Sequence, residues 1–169
     1  MSSSEQRREL GDVEVNRPRL RAAGLRVTRP RLAVLRVLDR ARAGQGHLTV
    51  ATVAAQARIE LGSLSAQAVY DCLAALHGVG LVRRVEFAGH PTRYETRVGD
   101  HHHHLVCRGC GHIRDLARAT GHPACLTPPT AVGFVVDEVE VTFWGRCSRC
   151  APAASKLARN PARPVLPPY

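Results

Sequence analysis

The sequence predicts an α+β chain: an N-terminal winged helix-turn-helix unit followed by a small α/β unit stapled by a four-cysteine zinc site. Three observations predict it. Helical periodicity with cap signals runs through residues 17–80. A pair of alternating segments around Ala88-Gly89-His90-Pro91 then reads as a hairpin. Finally, two Cys-x-x-Cys pairs, Cys107/Cys110 and Cys147/Cys150, frame the remainder.

Residues 1–16 are polar and are expected to form a flexible N-terminus. "NRPRLRAAG" reads as a short helix ending at Gly24. Thr28 caps the next helix, with Pro30 in its first turn, and Leu32, Val34, Leu35, Leu38 and Ala41 make its apolar stripe until Gly44 and Gly46 close it. Thr49 caps a third helix that buries Val50, Val53, Ala54 and Ala57. A fourth opens at Ser63 or Ser65, faces inward with Val69, Cys72, Leu73 and Leu76, and ends at Gly78 and Gly80. A hairpin after such helices is a winged helix, whose second helix enters the major groove while the wing follows phosphates. Arg83 and Arg84 stand where a wing needs them.

The expected boundaries are 17–92 for this unit with its hinge, 93–151 for the metal-binding α/β unit, and 152–169 for a disordered Pro-rich tail. In the α/β unit, "GFVVDEVEVTFWG" alternates Val135, Val139, Val141 and Phe143 against Glu138, Glu140 and Thr142, the pattern of a half-buried strand.

Composition narrows the partners. The chain has 169 residues, 24 of them Lys or Arg against 14 acids, for a net charge of +10, which attracts polyanions and makes nucleic acid the first partner to test. Only Lys156 is lysine, so codon bias explains the preference for Arg. It does not explain clustering: nine arginines fall between Arg17 and Arg42 against the single acid Asp39. No run approaches a membrane span and no secretory signal opens the chain, so a cytoplasmic protein is expected.

Six cysteines in such a chain argue for metal or redox chemistry before disulfides. Four thiolates on two tight turns satisfy tetrahedral zinc with no open position; a redox dithiol needs only one pair, and an iron–sulfur cluster remains compatible with the spacing. Zinc is favoured. "DHHHHLVCRGCG" adds four consecutive histidines. If extended, they send His101 and His103 to one side and His102 and His104 to the other, so one run serves two metals. Imidazole with carboxylate suits Fe²⁺, Mn²⁺, Ni²⁺ or Zn²⁺ without choosing among them. A solvated, titrating loop is the bland alternative.

"GLRVTRPRLAVL", "SAQAVYDCLAALHGVGLV", "RYETRVGDHHHHLVCRGCGHIRDL" and "VEVTFWGRCSRC" together resemble the ferric uptake regulator family, metal-dependent dimeric repressors with a winged-helix N-domain and a dimerising C-domain. The resemblance covers most of residues 17–150 in the family order. It implies a homodimer on a palindromic double-stranded DNA operator, with structural Zn²⁺ on Cys107, Cys110, Cys147 and Cys150. It places a regulatory Fe²⁺ or other divalent transition metal on His47, Glu95, His102, His104 and Asp115. A third set falls on His101, His103 and His122, but its fourth position is Val139. DNA contacts fall on Ser65, Gln67 and Tyr70 of the recognition helix, Arg19 and Arg21 of a basic arm, and Arg83 and Arg84 of the wing. Where the family often has a basic residue after the tyrosine, this chain has Asp71.

"VGD" before the histidines and "PACL" around Cys125 resemble the actinomycete branch that represses catalase genes, and Asp115 matches peroxide-sensing members. Peroxide-responsive control of catalase or metal-homeostasis genes is therefore implied, with Cys125 a candidate redox thiol and Cys72 a packing residue. A zinc- or nickel-responsive uptake regulator and a metal storage or delivery protein are the alternatives. Neither His-Glu-x-x-His nor a nucleophile elbow occurs, so no enzyme and no small-molecule substrate are expected.

Overall fold

The computed structural model describes residues 15–42, 44, 46–96, 98, 102–116 and 141–151. The chain divides into two compact units between His101 and His102. In the first, residues 15–22 form helix α1, followed by α2 (Arg29–Arg42), strand β1 (Leu48–Thr49), α3 (Val50–Leu61), α4 (Ala66–Gly78), β2 (Arg83–Val85) and β3 (Arg93–Glu95). The second holds β4 (His103–Cys107), β5 (Ile113–Leu116) and β6 (Thr142–Gly145). No helix among the described residues is long and apolar enough to cross a membrane.

Each helix begins where its cap chemistry allows. Thr28 Oγ1 accepts from the Arg31 amide at 3.4 Å, Thr49 Oγ1 from Thr52 at 3.3 Å, and Ser65 Oγ from Ala68 at 3.1 Å. Each satisfies an amide that the first turn leaves without a helical partner. Of the two serines available to α4, Ser65 is the cap and Ser63 lies outside. At the end of α1, Gly24 takes φ +73, and Leu25 returns its amide to the Leu20 carbonyl at 2.8 Å. A side chain at that φ would be strained, which is why glycine closes the helix.

Packing follows the apolar stripes. Leu32, Leu35 and Leu38 of α2 meet Val53 and Ala57 of α3 and Val69, Leu73 and Leu76 of α4 in one core that also takes in Leu20 and Tyr94. Arg36 is the exception on the buried face of α2. Its Nε donates to Glu60 Oε2 at 3.2 Å, so the charge is carried inward only with its counter-ion.

Two expected boundaries move. Helix α1 contains Val15 and Asn16, which the sequence placed in a flexible N-terminus ending at residue 16. Asn16 is 1% exposed, and its Nδ2 donates to Asp39 at 2.9 Å, a contact 23 residues away that local composition does not reveal. The division expected at 92/93 also shifts, because β3 belongs to the first unit. It is the central strand of the order β1-β3-β2, with Arg84 opposite Tyr94 and Leu48 opposite Tyr94 on the other side. The wing is therefore three-stranded, and β1, read above only as the approach to a helix cap, is its third member.

In the second unit β4 is central, antiparallel to β5 and parallel to β6. Of the alternating segment at 133–145, residues 133–140 lie outside the described structure. Phe143 stands on the exposed face, 38% accessible, beside Leu105 in register, rather than buried as the alternation suggested. The tail from 152 also lies outside it.

Candidate metal centres and nucleic-acid interface

Parallel pairing of β4 with β6 sets Cys107 opposite Gly145, so the turns that follow the two strands lie side by side. Each turn carries one Cys-x-x-Cys pair. The four Sγ atoms all lie within 4.8 Å of one another, and Cys110 Sγ stands 3.6 Å from Cys147 Sγ. A disulfide requires about 2.05 Å; the edge of a tetrahedron built with Zn–S bonds of about 2.3 Å is about 3.8 Å. The spacing fits four separate thiolates around one ion.

Backbone geometry prepares that charge. The Cys147 amide donates to Cys107 Sγ at 3.2 Å. This bond, with a second from the Cys110 amide, draws the Cys107 thiol down to about 5. Cys150 is pushed up to about 12 by its Cys110 and Cys147 neighbours. Crowded sulfurs thus resist full ionisation until a cation compensates them. Gly109 supplies the space: a Cβ there would meet Cys150 Cβ at 3.0 Å and Sγ at 3.1 Å. These residues fit a closed Zn²⁺ site.

Buried imidazole and carboxylate groups occur in both units. His47 immediately precedes β1 and Glu95 ends β3, so the register Leu48↔Tyr94 brings them together; Nε2 and Oε2 are 3.2 Å apart and both side chains are buried. Arg93 braces the pair by donating to the His47 carbonyl at 3.0 Å. In the second unit, His102, just before β4, and His104, on it, are both buried, with ring centroids 4.8 Å apart. His104 stands opposite Asp115 on β5, with Nε2 3.9 Å from Oδ1. Burial of two imidazoles beside a carboxylate is costly without a compensating cation or hydrogen-bond network, and the donor types suit Fe²⁺, Mn²⁺ or Zn²⁺.

The period-two division of the histidine run holds for its described members. His103 points to the opposite face from His102 and His104, its ring edge-on to Phe143 at 6.3 Å. His101, His122, Cys125 and Val139 lie outside the described residues. Cys72 lies buried on α4, its thiol raised chiefly by desolvation, as a packing residue requires.

On the nucleic-acid side, α4 exposes Gln67, Tyr70, Asp71 and Ala74 as one stripe opposite the core. Tyr70 is 52% exposed. The stripe and the wing border a cleft of about 770 Å³, with Arg84, Thr92 and Tyr94 on its wing side. Ser65 is engaged as the helix cap, Gln67 Nε2 donates to Asp71 Oδ1 at 2.8 Å, and Arg84 pairs with Glu86. The basic arm divides. Arg21 is exposed on α1, but Arg19 donates to Asn16 Oδ1 at 2.7 Å and to Asp39 Oδ2 at 2.9 Å, so it sits on a helix and holds α1 to α2. Sequence reading missed that pairing, the Gln67–Asp71 bond and the brace from Arg93; only the i, i+4 spacing of Gln67 and Asp71 offered a signal.

Comparison with known proteins matches these features. Residues 22–140 match the model of the Ferric uptake regulator family. Transcriptional regulator FurA of Mycobacterium tuberculosis is 48% identical over 132 residues, covering 78% of this chain and 87% of that protein. The crystal structure of the Vibrio cholerae ferric uptake regulator aligns with TM-score 0.65 at 27% identity, over 78% of this chain and 99% of that one. The Campylobacter jejuni peroxide stress regulator aligns with TM-score 0.57 at 25% identity, over 81% and 97%. With the helix–wing unit, the four-thiolate cluster and the buried imidazole–carboxylate groups agreeing with the sequence match, the chain belongs to the ferric uptake regulator family.

Proposed function

We propose that this metal-responsive transcriptional regulator is a homodimeric repressor that grips a palindromic operator when a divalent ion, Fe²⁺ in the resting cell, is bound by His47, Glu95, His102, His104 and Asp115. The carrying observation is the division of donors. His47 and Glu95 make a buried pair in the helix–wing unit, and His102, His104 and Asp115 sit together in the other. Neither group alone fills the coordination shell of such an ion. An ion that draws on both favours one arrangement of the units, so its binding free energy becomes a population shift toward the operator-competent state. Present at 100 times its Kd, an ion stabilises the state it binds by about 2.7 kcal/mol, a roughly 100-fold shift.

The four thiolates would hold Zn²⁺ permanently and contribute to folding of the small second unit. In the helix–wing unit, α4 enters the major groove with Gln67 and Tyr70, while Arg83 and Arg84 of the wing and Arg21 of α1 approach phosphates. Peroxide is the proposed signal: bound iron supplies redox chemistry beside His102 and His104, and oxidation of a ligand imidazole would release the operator of catalase or metal-homeostasis genes. Similarity to the Campylobacter peroxide regulator and Asp115 on the buried face support that reading.

The test is duplex binding by fluorescence anisotropy with Fe²⁺, Mn²⁺, Ni²⁺ and Zn²⁺ in turn, with chelator, and then with hydrogen peroxide. Chelator-sensitive binding supports metal control. Peroxide release confined to the iron form supports ligand oxidation, whereas activation by zinc or nickel alone identifies an uptake regulator for that metal. Metal uptake with no duplex binding in any form would instead indicate storage or delivery.

A further inference from the structure

We propose that Asp71 is a base-reading residue that selects cytosine in each half-operator, with Gln67 as its positioning residue; the inference rests on the DNA-binding reading above. On the exposed stripe of α4, Asp71 is the only charged side chain, set between Tyr70 and Ala74 in a strongly basic protein. A carboxylate carried into the groove is repelled by phosphates on both sides. It is tolerated there only against a hydrogen-bond donor, and in the major groove the donors are the amino groups of cytosine and adenine. Adenine presents its N7 acceptor next to that amino group, which opposes the second carboxylate oxygen. Cytosine presents the amino donor without a neighbouring acceptor on the same base. The carboxylate therefore prefers cytosine.

Gln67 sharpens the choice. Its Nε2 donates to Asp71 Oδ1 at 2.8 Å, which holds one carboxylate oxygen and leaves Oδ2 to accept from a base. The same bond uses the amide nitrogen of Gln67, which leaves its Oε1 as a further acceptor. Both residues border the cleft that the wing closes on its far side with Arg84 and Thr92. Arg84 is held by Glu86, which also accepts from Thr92 Oγ1 at 2.9 Å, so the wing guanidinium is not drawn across to neutralise Asp71. Ala74, one turn further along the stripe, adds no bulk against the base.

The test uses the full-length, metal-loaded chain with a randomised palindromic duplex library, comparing wild type with Asp71→Asn and Asp71→Ala. Wild type is expected to enrich cytosine at one position of each half-site. On that selected duplex, replacing the cytosine by an analogue lacking the 4-amino group should weaken wild-type binding roughly 10-fold and leave Asp71→Ala nearly unaffected. Asp71→Asn, whose amide presents a donor as well as an acceptor, should lose the preference while binding at least as tightly to random duplex, because a negative charge has gone. Since Asp71 is exposed, circular dichroism of both variants should match wild type. Unchanged base preference in both variants overturns the inference alone. Absence of any metal-dependent duplex binding by wild type overturns the functional reading, and this inference with it.

Discussion

At the scale of single residues, cysteine and histidine are proposed to divide the labour of this protein, and Gly109 shows how little room the thiolate cluster leaves. A methyl group at residue 109 would press on Cys150 Cβ and Sγ at 3.0 and 3.1 Å, so Gly109→Ala must displace Cys150 from the four-thiolate cluster. Zinc affinity, read by competition with a chromogenic chelator, is expected to fall about 10-fold or more; unchanged affinity would mean the knuckle yields. Cys107→Ser removes the ligand that two amides prepare for charge and is expected to abolish the tertiary near-UV signal of the second unit. His104→Ala should keep that signal and lose metal-activated duplex binding, and equal unfolding by both variants would refute the division. The grouping of these side chains was legible because few chemistries place Cys and His at such spacing. The tie made by Arg19 was not, because it depends on Asp39, a partner 20 residues distant; Ser65 was legible as one of two candidate caps, and its bond from the Ala68 amide selects it.

Secondary-structure elements were legible where one face carried the signal. The stripes of α2, α3 and α4 lie in the core as their periodicity predicts, since burial of apolar groups dominates the choice of face. Leu73, fully buried on α4, should cost about 2–5 kcal/mol on replacement by alanine, measured by urea unfolding. Strand β1 was not legible: two residues have no periodicity, and only pairing with Tyr94 and Arg93 makes them a strand. That pairing sets His47 against Glu95, two of the proposed metal ligands. Cap and contact can also be separated at this scale. Ser65→Ala should lose about 1 kcal/mol of stability, and Ser65→Asp, a good cap in its own right, should retain most of it. If Ser65 serves only as a cap, Ser65→Ala shifts the urea midpoint but not duplex affinity under conditions where the chain is fully folded; reduced affinity there would show that the hydroxyl also contacts DNA.

For the whole molecule, the net charge of +10 was plain from composition, but its distribution between paired and available cations was not. Of the nine arginines between residues 17 and 42, Arg36 is consumed by Glu60 and Arg19 by Asp39, while Arg17, Arg21, Arg26 and Arg29 are exposed. Counter-ion release makes the distinction measurable, because the logarithm of duplex affinity falls with the logarithm of salt by about 0.9 per neutralised phosphate. If Arg21 meets a phosphate in each half-site, Arg21→Ala in a dimer should reduce the slope by about 2 with little change in stability. Arg19→Ala should leave the slope nearly unchanged. It removes a half-exposed ion pair whose own worth is below about 1 kcal/mol, together with the tie from α1 to α2, and so should appear as a lower unfolding midpoint. Anisotropy at four or more salt concentrations, with metal held saturating, separates the two. A slope reduced equally by both variants would mean that Arg19 leaves Asp39 for the phosphate on binding, making the α1–α2 tie a contact exchanged for DNA rather than a fixed part of the fold.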